Sequence, residues 1–463
     1  MVKLKLLQNE IKAILSSFKT KGSFTRNFSY FLSSRVIIIV IGFLLTPIIT
    51  RIYDPQAYGF FAVLNAFAIN FATISCLSYE SVLIIVKDES KFYNLYTLCI
   101  LLITLLSGVL LVGLIGFKEI LNYSSILDIE LVYRNIFLLT FCSLIYSLNQ
   151  IQPKWNVRRR QFKYSAVVGL IGQSSSKLFT LGLGMFSTFH SYGIILGEVT
   201  GKIFSFLLNF NKTFIKERFI IYKKINWVKI KSSMKEFDAY PKFVLPSRYL
   251  GVLVSQAPIF ALTIFFNPEL VGSFALATSM FNLPIILLRN TLSPLILEKL
   301  SGFNDEFNRS SFVKRIINLL IFGSLIVFIP LIIYIDILFP IIFGPKWEIA
   351  GIICVVLLGN GVFEIIKLFE GPILQILRKE TRIFKFNLIT LIVSVIGLLP
   401  GIILKDYFIM IIGLTFSNFL FNWFKISFAL KLINLNFTKQ FVLTSTIISL
   451  SYIIKYIFQV ILI

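Results

Sequence analysis

The chain has 463 residues, is 57% hydrophobic, has a mean hydropathy of +0.85 and carries a formal net charge of +23. A soluble protein of this length would be far more polar. Apolar stretches of about 20 residues, the length that crosses a bilayer core, recur along nearly the whole chain. We therefore expect an all-α polytopic membrane protein. An outer-membrane barrel is excluded, since its strands would be half as long and would alternate in polarity.

The hydrophobic pattern predicts about thirteen spans in chain order. They cover residues 28–50, 58–86, 92–116, 131–151, 164–187, 191–211, 243–266, 270–297, 313–339, 347–371, 384–404, 407–430 and 438–462. The first twelve spans form two halves of six, at 28–211 and 243–430. The other segments are a basic cytoplasmic N-terminal segment, a basic cytoplasmic linker and an additional C-terminal helix, at 1–27, 212–242 and 431–463.

Lys and Arg are distributed unevenly between successive loops. With the N-terminus in the cytoplasm, the predicted inside loops carry most of them, and 425–439 is one of these loops. The predicted outside loops carry only Arg51, Lys118, Arg134, Lys346 and Lys405. Because cytoplasmic loops are enriched in Lys and Arg, this distribution predicts a cytoplasmic N-terminus. It also explains the net charge without a nucleic-acid partner.

The residues that commonly build metal or disulfide sites are few. The four cysteines occur at unrelated spacings within apolar segments, and the single histidine is His190, near a predicted membrane boundary. We expect neither a disulfide framework nor a metal site. All predicted outside loops are short, so we also expect no extracellular domain and no catalytic residues.

A short motif occurs twice, 213 positions apart. RIYDPQAYGFFA at 51–62 aligns without gaps with IFFNPELVGSFA at 264–275. Asp or Asn followed by Pro ends one helix and begins the next. The shared glycine, Gly59 or Gly272, allows backbones to pack closely in lipid. Six spans per half give both halves the same orientation, so we expect a pseudo-two-fold axis along the membrane normal.

Two longer stretches resemble a known family. TPIITRIYDPQAYGFFAV, followed by LSYESVLIIV, is similar to the opening of bacterial polysaccharide-biosynthesis membrane proteins, the Wzx-type flippases. Residues 238–284 resemble the start of their second half. These proteins belong to the multidrug/oligosaccharidyl-lipid/polysaccharide exporter superfamily. One departure is Ser78, where the family often has Arg before Tyr-Glu, so no role of that arginine is carried over.

The resemblance implies a flippase rather than an enzyme. Its substrate would be an undecaprenyl-pyrophosphate-linked oligosaccharide, moved from the inner to the outer leaflet of the bacterial cytoplasmic (inner) membrane by alternating access. The product would be O-antigen of lipopolysaccharide, capsule or another surface polysaccharide. Its partners would be this glycan, membrane lipid and other polysaccharide-assembly membrane proteins. No cofactor is implied; transport could draw on a H⁺ or Na⁺ gradient.

Intramembrane cations are the main candidates for substrate binding, because a charge at the bilayer centre costs about 2.5–3.5 kcal/mol and needs a partner or a wet cavity. Arg35 and Arg248 occupy matching repeat positions. The family's cavity is cationic and receives a pyrophosphate, which guanidinium groups bind bidentately. We predict that both arginines face this cavity; the alternative is that they snorkel to an interface. Lys177 lies in mid-span, whereas Arg289 lies near a span end, where snorkelling is an equal alternative.

Further polar residues fall on common helix faces. These stripes are Glu198, Lys202, Ser205 and Asn209; Asn360, Glu364, Lys367 and Gly371; and Asn65, Thr73 and Glu80. Thr46 shares a face with Arg35, Ser255 with Arg248, and Gln173 lies near Lys177.

The carboxylates of these stripes have two interpretations. Glu198 and Glu364 are candidates for ion coupling, or they neutralise neighbouring lysines. Glu80 is expected to pair with Arg35 or with Lys87.

Two other functions compete with the flippase. A cation-coupled multidrug exporter would need an acidic, aromatic cavity, which the cationic candidate residues disfavour. A membrane glycan polymerase or ligase would need a sizeable outer loop with catalytic residues, and the predicted outer loops are too short.

Overall fold

The computed structural model describes residues 24–121, 135–186, 191–210, 215, 217, 225–303, 305–379 and 381–461. These residues are almost all helical and contain no strand. Side chains at 24–35, 117–121 and 458–461 are outside the description. The predictions for 1–23, for His190 and for much of the linker therefore lie outside the described residues.

The described part of the first half contains six long helices, named α1 to α6. Their bounds are Phe24–Ile52, Pro55–Ser75, Glu89–Leu121, Ile136–Arg158, Phe162–Gly184 and Gly193–Leu208. The linker contributes a short helix, α7, at Trp227–Glu236. A π-helical turn at Tyr240–Val244 then leads into the second half.

Among the described residues, the second half and the additional C-terminal helix together comprise nine helices, because the span predicted at 347–371 is divided into three. Helices α8 to α16 are Leu245–Phe265, Pro268–Gly302, Glu306–Phe343, Glu348–Leu358, Gly361–Ile366, Glu370–Ile376, Thr381–Leu404, Tyr407–Lys431 and Thr438–Ile461. The largest buried cluster lies in this half and includes the first hairpin of the other half, with Tyr53 and Tyr58.

The apolar lengths of these helices define a multi-pass membrane protein. By length and composition, 8 of the described helices can cross a membrane, or 9 if one bent pair counts as a single span. The predicted count of thirteen spans and the two-fold relation between the halves remain predictions.

The span predicted at 58–86 is wrong in its second part. Helix α2 ends at Ser75, and Leu77 and Ser78 then adopt left-handed backbone with φ of 50° and 62°. A 3₁₀ turn at Tyr79–Ile84 follows. Two consecutive left-handed residues cannot continue a right-handed helix. The sequence stays apolar on both sides of this break, and hydrophobic periodicity carries no information on where the chain changes direction.

The span predicted at 347–371 is also broken. The segment Pro345–Leu358 and the segment Gly361–Ile376 are inclined at 59°. The glycines on either side of the bend pack tightly: a Cβ on Gly359 would press on the Tyr452 hydroxyl, and one on Gly361 on the Phe328 ring. The chain at the bend is therefore packed between Tyr452 of α16 and Phe328 of α10.

The two copies of the repeated motif form the predicted caps. Asp54 Oδ1 accepts from the Ala57 N–H at 2.8 Å, and Asn267 Oδ1 accepts from the Leu270 N–H at 2.9 Å. Each cap is followed by proline at the first helical position. The turn chemistry inferred from the sequence is thereby confirmed.

The two capped helices also pack on each other through their shared glycines. A Cβ on Gly59 would collide with the Pro268 carbonyl, and one on Gly272 with the Pro55 carbonyl. The contact is reciprocal: each glycine meets the backbone of the other motif. It holds α2 of one half against α9 of the other at the predicted outer side.

Candidate functional site

The first half holds a partly buried carboxylate, Glu198, between α5 and α6. Glu198 lies 3.1 Å from Lys202 Nζ, one turn further along α6, and accepts a hydrogen bond from Ser176 Oγ at 3.0 Å. Lys177 is also close enough to act electrostatically on Glu198. The carboxylate thus has two lysines for one negative charge.

Glycines bring α5 and α6 close enough for these contacts. A Cβ on Gly172 would collide with Ser205 Oγ, and one on Gly201 with the Gly172 carbonyl. Small residues at such positions let helix backbones approach in a membrane. The two helices therefore place Ser176 and Glu198 side by side.

Lys202 connects this carboxylate to two further helices. Its Nζ lies 4.1 Å from the centroid of the Tyr146 ring on α4, a cation–π contact. The Tyr146 hydroxyl in turn donates to Asn65 Oδ1 on α2 at 2.7 Å. A continuous polar chain therefore runs from Asn65 to Glu198.

Two cavities lie on either side of this chain. The first, of about 230 Å³, lies between α1, α5, α6 and α9 and is lined by Gly42, Thr46, Gln173, Lys177 and Glu198, among others. The second, of about 380 Å³, lies between α4, α5 and α6. Its wall includes all four residues of the predicted α6 stripe: Glu198, Lys202, Ser205 and Asn209.

The second half holds a comparable cluster around Glu364. Lys367 Nζ lies 2.6 Å from this carboxylate and an Arg289 guanidinium nitrogen 3.7 Å away. Asn422 Nδ2 donates to Glu364 at 2.8 Å. Lys425 is 5% exposed and donates to Thr390 Oγ1 at 3.3 Å. Lys425 also interacts electrostatically with Glu370, so three cations accompany two carboxylates in this cluster.

An ion pair joins the two halves at the break after α2. The Arg248 guanidinium on α8 donates to the Glu80 carboxylate, which is 1% exposed, and also to Gln150 Oε1 at 3.2 Å. The described partner of Glu80 is thus Arg248 and not Lys87, while a pairing with Arg35, whose side chain lies outside the described residues, stays a prediction. The backbone reversal at Leu77 and Ser78 turns Glu80 toward the other half.

The structure leaves the roles predicted for the other candidate residues as predictions. The side chain of Arg35 lies outside the described residues, so its meeting with Arg248 across a cavity stays a prediction. Ser255 is exposed and donates to the Val252 carbonyl at 2.8 Å. The stripe from Asn360 to Gly371 is split by the bend, and Asn360 lines a cavity of about 680 Å³ beside α16.

Sequence reasoning missed three functional-site candidates. Lys425 was assigned to an inside loop, yet it is buried within α15. Tyr146 carried no signal, because one tyrosine in an apolar span is unremarkable. A second intramembrane pair, Lys455 with Asp336 at 2.6 Å, joins α16 to α10; its signal was a charge of each sign inside an apolar span.

The described helices define a multi-pass helical membrane protein with polar clusters inside it, and solved structures share its fold. "Lipid II flippase MurJ, inward closed conformation" is 16% identical, with a TM-score of 0.65, and the match covers 92% of this chain and 97% of that one. An inward-facing multidrug resistance MATE family transporter of the MOP superfamily is 14% identical, with a TM-score of 0.63 and coverage of 87% and 98%.

A third solved structure is a MOP superfamily transporter from Pyrococcus furiosus, whose title reports reverse polarity of its binding pocket. It is 12% identical, has a TM-score of 0.55, and the match covers 88% of this chain and 95% of that one. The comparison with curated proteins gives no match. A family model described as "Polysaccharide biosynthesis protein" matches residues 48–351, more than half of the chain. The chain belongs to that polysaccharide biosynthesis protein family.

Proposed function

We propose that this protein flips a lipid-linked oligosaccharide across the cytoplasmic membrane. The charged, sugared head group would enter the space between the halves from the inner leaflet, while the lipid tail stays in the bilayer. Family membership and a transporter fold support this proposal. The substrate class that fits best is an undecaprenyl-pyrophosphate-linked repeat unit, destined for O-antigen, capsule or another surface polysaccharide.

The observation that carries the proposal is the excess of cations around each partly buried carboxylate. Glu198 pairs with Lys202 and shares a cavity wall with Lys177, and Glu364 pairs with Lys367 and Arg289. Each cluster therefore keeps positive charge in a low-dielectric setting after its carboxylate is neutralised. Such clusters favour a pyrophosphate and disfavour a cationic drug.

The contacts between the halves suggest how access alternates. The glycine contact between α2 and α9 closes the predicted outer side, and the Glu80–Arg248 pair joins the halves on the predicted inner side. Both sets of contacts are formed in this structure, and rocking of the halves would break the inner set or the outer set in turn. A bound pyrophosphate could compete with Glu80 for the Arg248 guanidinium and so couple entry to movement. No covalent bond is made or broken in this scheme.

The deciding experiment is done in cells that make the surface polysaccharide. The gene is deleted with the rest of the pathway intact, and the membrane face that holds the lipid-linked repeat unit is determined. Accumulation on the cytoplasmic face is expected for a flippase. Single unpolymerised units on the outer face would instead indicate a polymerase or ligase.

A cation-coupled multidrug exporter is the second candidate, because multidrug transporters share the fold. It predicts no accumulation of repeat units on deletion, together with increased sensitivity to cationic drugs. That outcome would overturn the flippase proposal. The coupling source also stays open, with Glu198 and Glu364 as the carboxylates to test under imposed H⁺ and Na⁺ gradients.

A further inference from the structure

The linker helix α7 is fixed to the first half by polar contacts. The Asn226 N–H donates to Asn94 Oδ1 at 2.9 Å, at the start of α7. Lys91 Nζ lies 2.7 Å from the Glu236 carboxylate at its end. Between them Ile230 is 3% exposed and packs into a core that includes Trp155. The helix is therefore a docked element.

One side of this docked helix borders an open groove against α3. The groove has a volume of about 710 Å³. Its lining residues are Leu98, Leu101, Leu102, Thr104, Leu105, Trp227, Ile230, Lys231 and Met234. Lys231 is the one charged side chain among them, and it is exposed at the rim. The groove is thus apolar with a single cation at its edge.

The groove continues into an apolar stripe along α3. Leu101, Leu105, Val109 and Val112 are 38%, 63%, 60% and 71% exposed and recur at helical spacing. On a membrane-spanning helix, such a stripe faces lipid. Trp227, which is 69% exposed at the start of α7, is a residue type that settles at the membrane–water interface. The groove therefore lies where lipid head groups meet acyl chains.

We propose that this groove is a binding site for an anionic phospholipid. The phosphate would pair with the Lys231 ammonium, and one acyl chain would lie between Met234 and Leu105 and continue along the α3 stripe. Charge complementarity selects the lipid class. The cations of α7 outnumber its single acid, Glu236, which Lys91 already neutralises. Basic amphipathic helices at an interface attract anionic lipids in this way.

The site is separate from the transport clusters and does not depend on which substrate is carried. It adjoins the inter-half contact through one hydrogen bond, from the Tyr79 hydroxyl to the Met234 carbonyl at 3.3 Å. Tyr79 directly precedes Glu80, the partner of Arg248. A lipid held in the groove would therefore hold α7 against the segment that carries the inter-half ion pair.

Native mass spectrometry of the purified full chain tests the head-group part of this proposal. Phosphatidylglycerol and phosphatidylcholine with identical acyl chains are added at equal concentration. We expect preferential retention of phosphatidylglycerol, and a several-fold loss of that preference in Lys231→Ala. Lys235→Ala is the matched control, since it removes an exposed lysine of the same helix that does not line the groove.

Leu105→Trp tests the acyl-chain part by filling the groove, and Leu319→Trp places the same ring at an exposed position of α10, away from the groove and the α3 stripe. We expect Leu105→Trp to lower retention of both lipids and Leu319→Trp to leave it unchanged. Thermal melting in detergent verifies that each variant folds. Equal binding of the two lipids would overturn the proposed selection by charge. Equal losses in Lys231→Ala and Lys235→Ala would overturn the site in favour of general attraction to a basic surface.

Discussion

At the scale of single residues, the backbone reversal at Leu77 and Ser78 determines which residue pairs with Glu80. Its carboxylate is 1% exposed and points away from the helix that the sequence predicted to continue. Arg248, its partner, is 39% exposed and so remains partly open to a ligand. The pair couples a fully buried acid to a reachable cation, which is the arrangement that substrate competition requires.

Removing one member of this pair should cost more than removing both. Arg248→Ala removes the hydrogen-bonded partner of the buried Glu80 carboxylate. Breaking a fully buried pair costs about 3–5 kcal/mol, and we expect a smaller loss here because Arg248 is 39% exposed and solvent screens its charge. We expect a lowered melting temperature for Arg248→Ala and partial recovery in the double variant with Glu80→Gln. Thermal melting of the purified variants measures this. A double variant no more stable than Arg248→Ala would contradict the role assigned to the pair.

A substitution of Lys177 should weaken substrate binding without disturbing the fold. Glu198 keeps Lys202 and Ser176 as partners without it, so Lys177→Ala should fold normally. If the cation excess binds an anionic head group, we expect the substrate concentration for half-maximal flipping to rise several-fold in vesicles. Lys177→Arg keeps the charge and should stay near wild type. Unchanged half-saturation in Lys177→Ala would exclude this lysine from the binding surface.

At the scale of helices, the repeated hairpin is both a turn and a contact. The caps at Asp54 and Asn267 start α2 and α9, and the prolines that follow fix the first helical residue. Gly59 and Gly272 then let the two helices touch backbone to backbone. Local turn chemistry and packing between the halves are encoded in the same twelve positions.

Because of this contact, replacing glycine by alanine should lower the stability at Gly59 and leave it unchanged at Gly108. Gly59→Ala forces a Cβ onto the Pro268 carbonyl, and overpacking of this kind costs about 1–3 kcal/mol. We expect a lower melting temperature and a weaker closed contact on the predicted outer side. Gly108→Ala is the control, because a Cβ there meets nothing within 4 Å. Equal melting temperatures of Gly59→Ala and Gly108→Ala would contradict the close backbone contact between α2 and α9.

At the scale of the whole molecule, the two halves meet at both ends of the first hairpin's helix. The glycine contact lies at one end of α2, and the Glu80–Arg248 pair follows its other end. The basic linker helix is docked beside the ion pair. The second half adds α16, whose Lys455 pairs with Asp336 of α10 within the apolar region.

The orientation of the molecule gives a prediction at this scale. With the basic loops inside, Ser232→Cys on α7 should be hidden from a membrane-impermeant maleimide in intact cells. Glu269→Cys on the outer hairpin should be labelled. Both positions are exposed, and the native cysteines are buried, so the background should be low. Labelling of Ser232→Cys but not of Glu269→Cys would show that the orientation is opposite to the predicted one.

The sequence by itself determined the membrane class, the position of nearly every helix and the capped hairpins. Each of these depends on local properties: apolar length, charge in adjoining loops and the dihedral limits of Asp-Pro or Asn-Pro. The helical spacing from Glu198 to Asn209 also placed that stripe on one cavity wall. Family resemblance added the substrate class as an expectation.

Only the tertiary structure decided which charges meet. The breaks after Ser75 and at Gly359 lie inside apolar runs, and periodicity cannot register them because the residues on both sides remain apolar. Lys425 looks like a loop lysine until α14 and α15 pack around it. Arg248 pairs with Glu80, which lies 168 positions earlier in the chain. Such pairings depend on how the helices fold back on one another, since a buried charge takes whichever partner packing brings within reach.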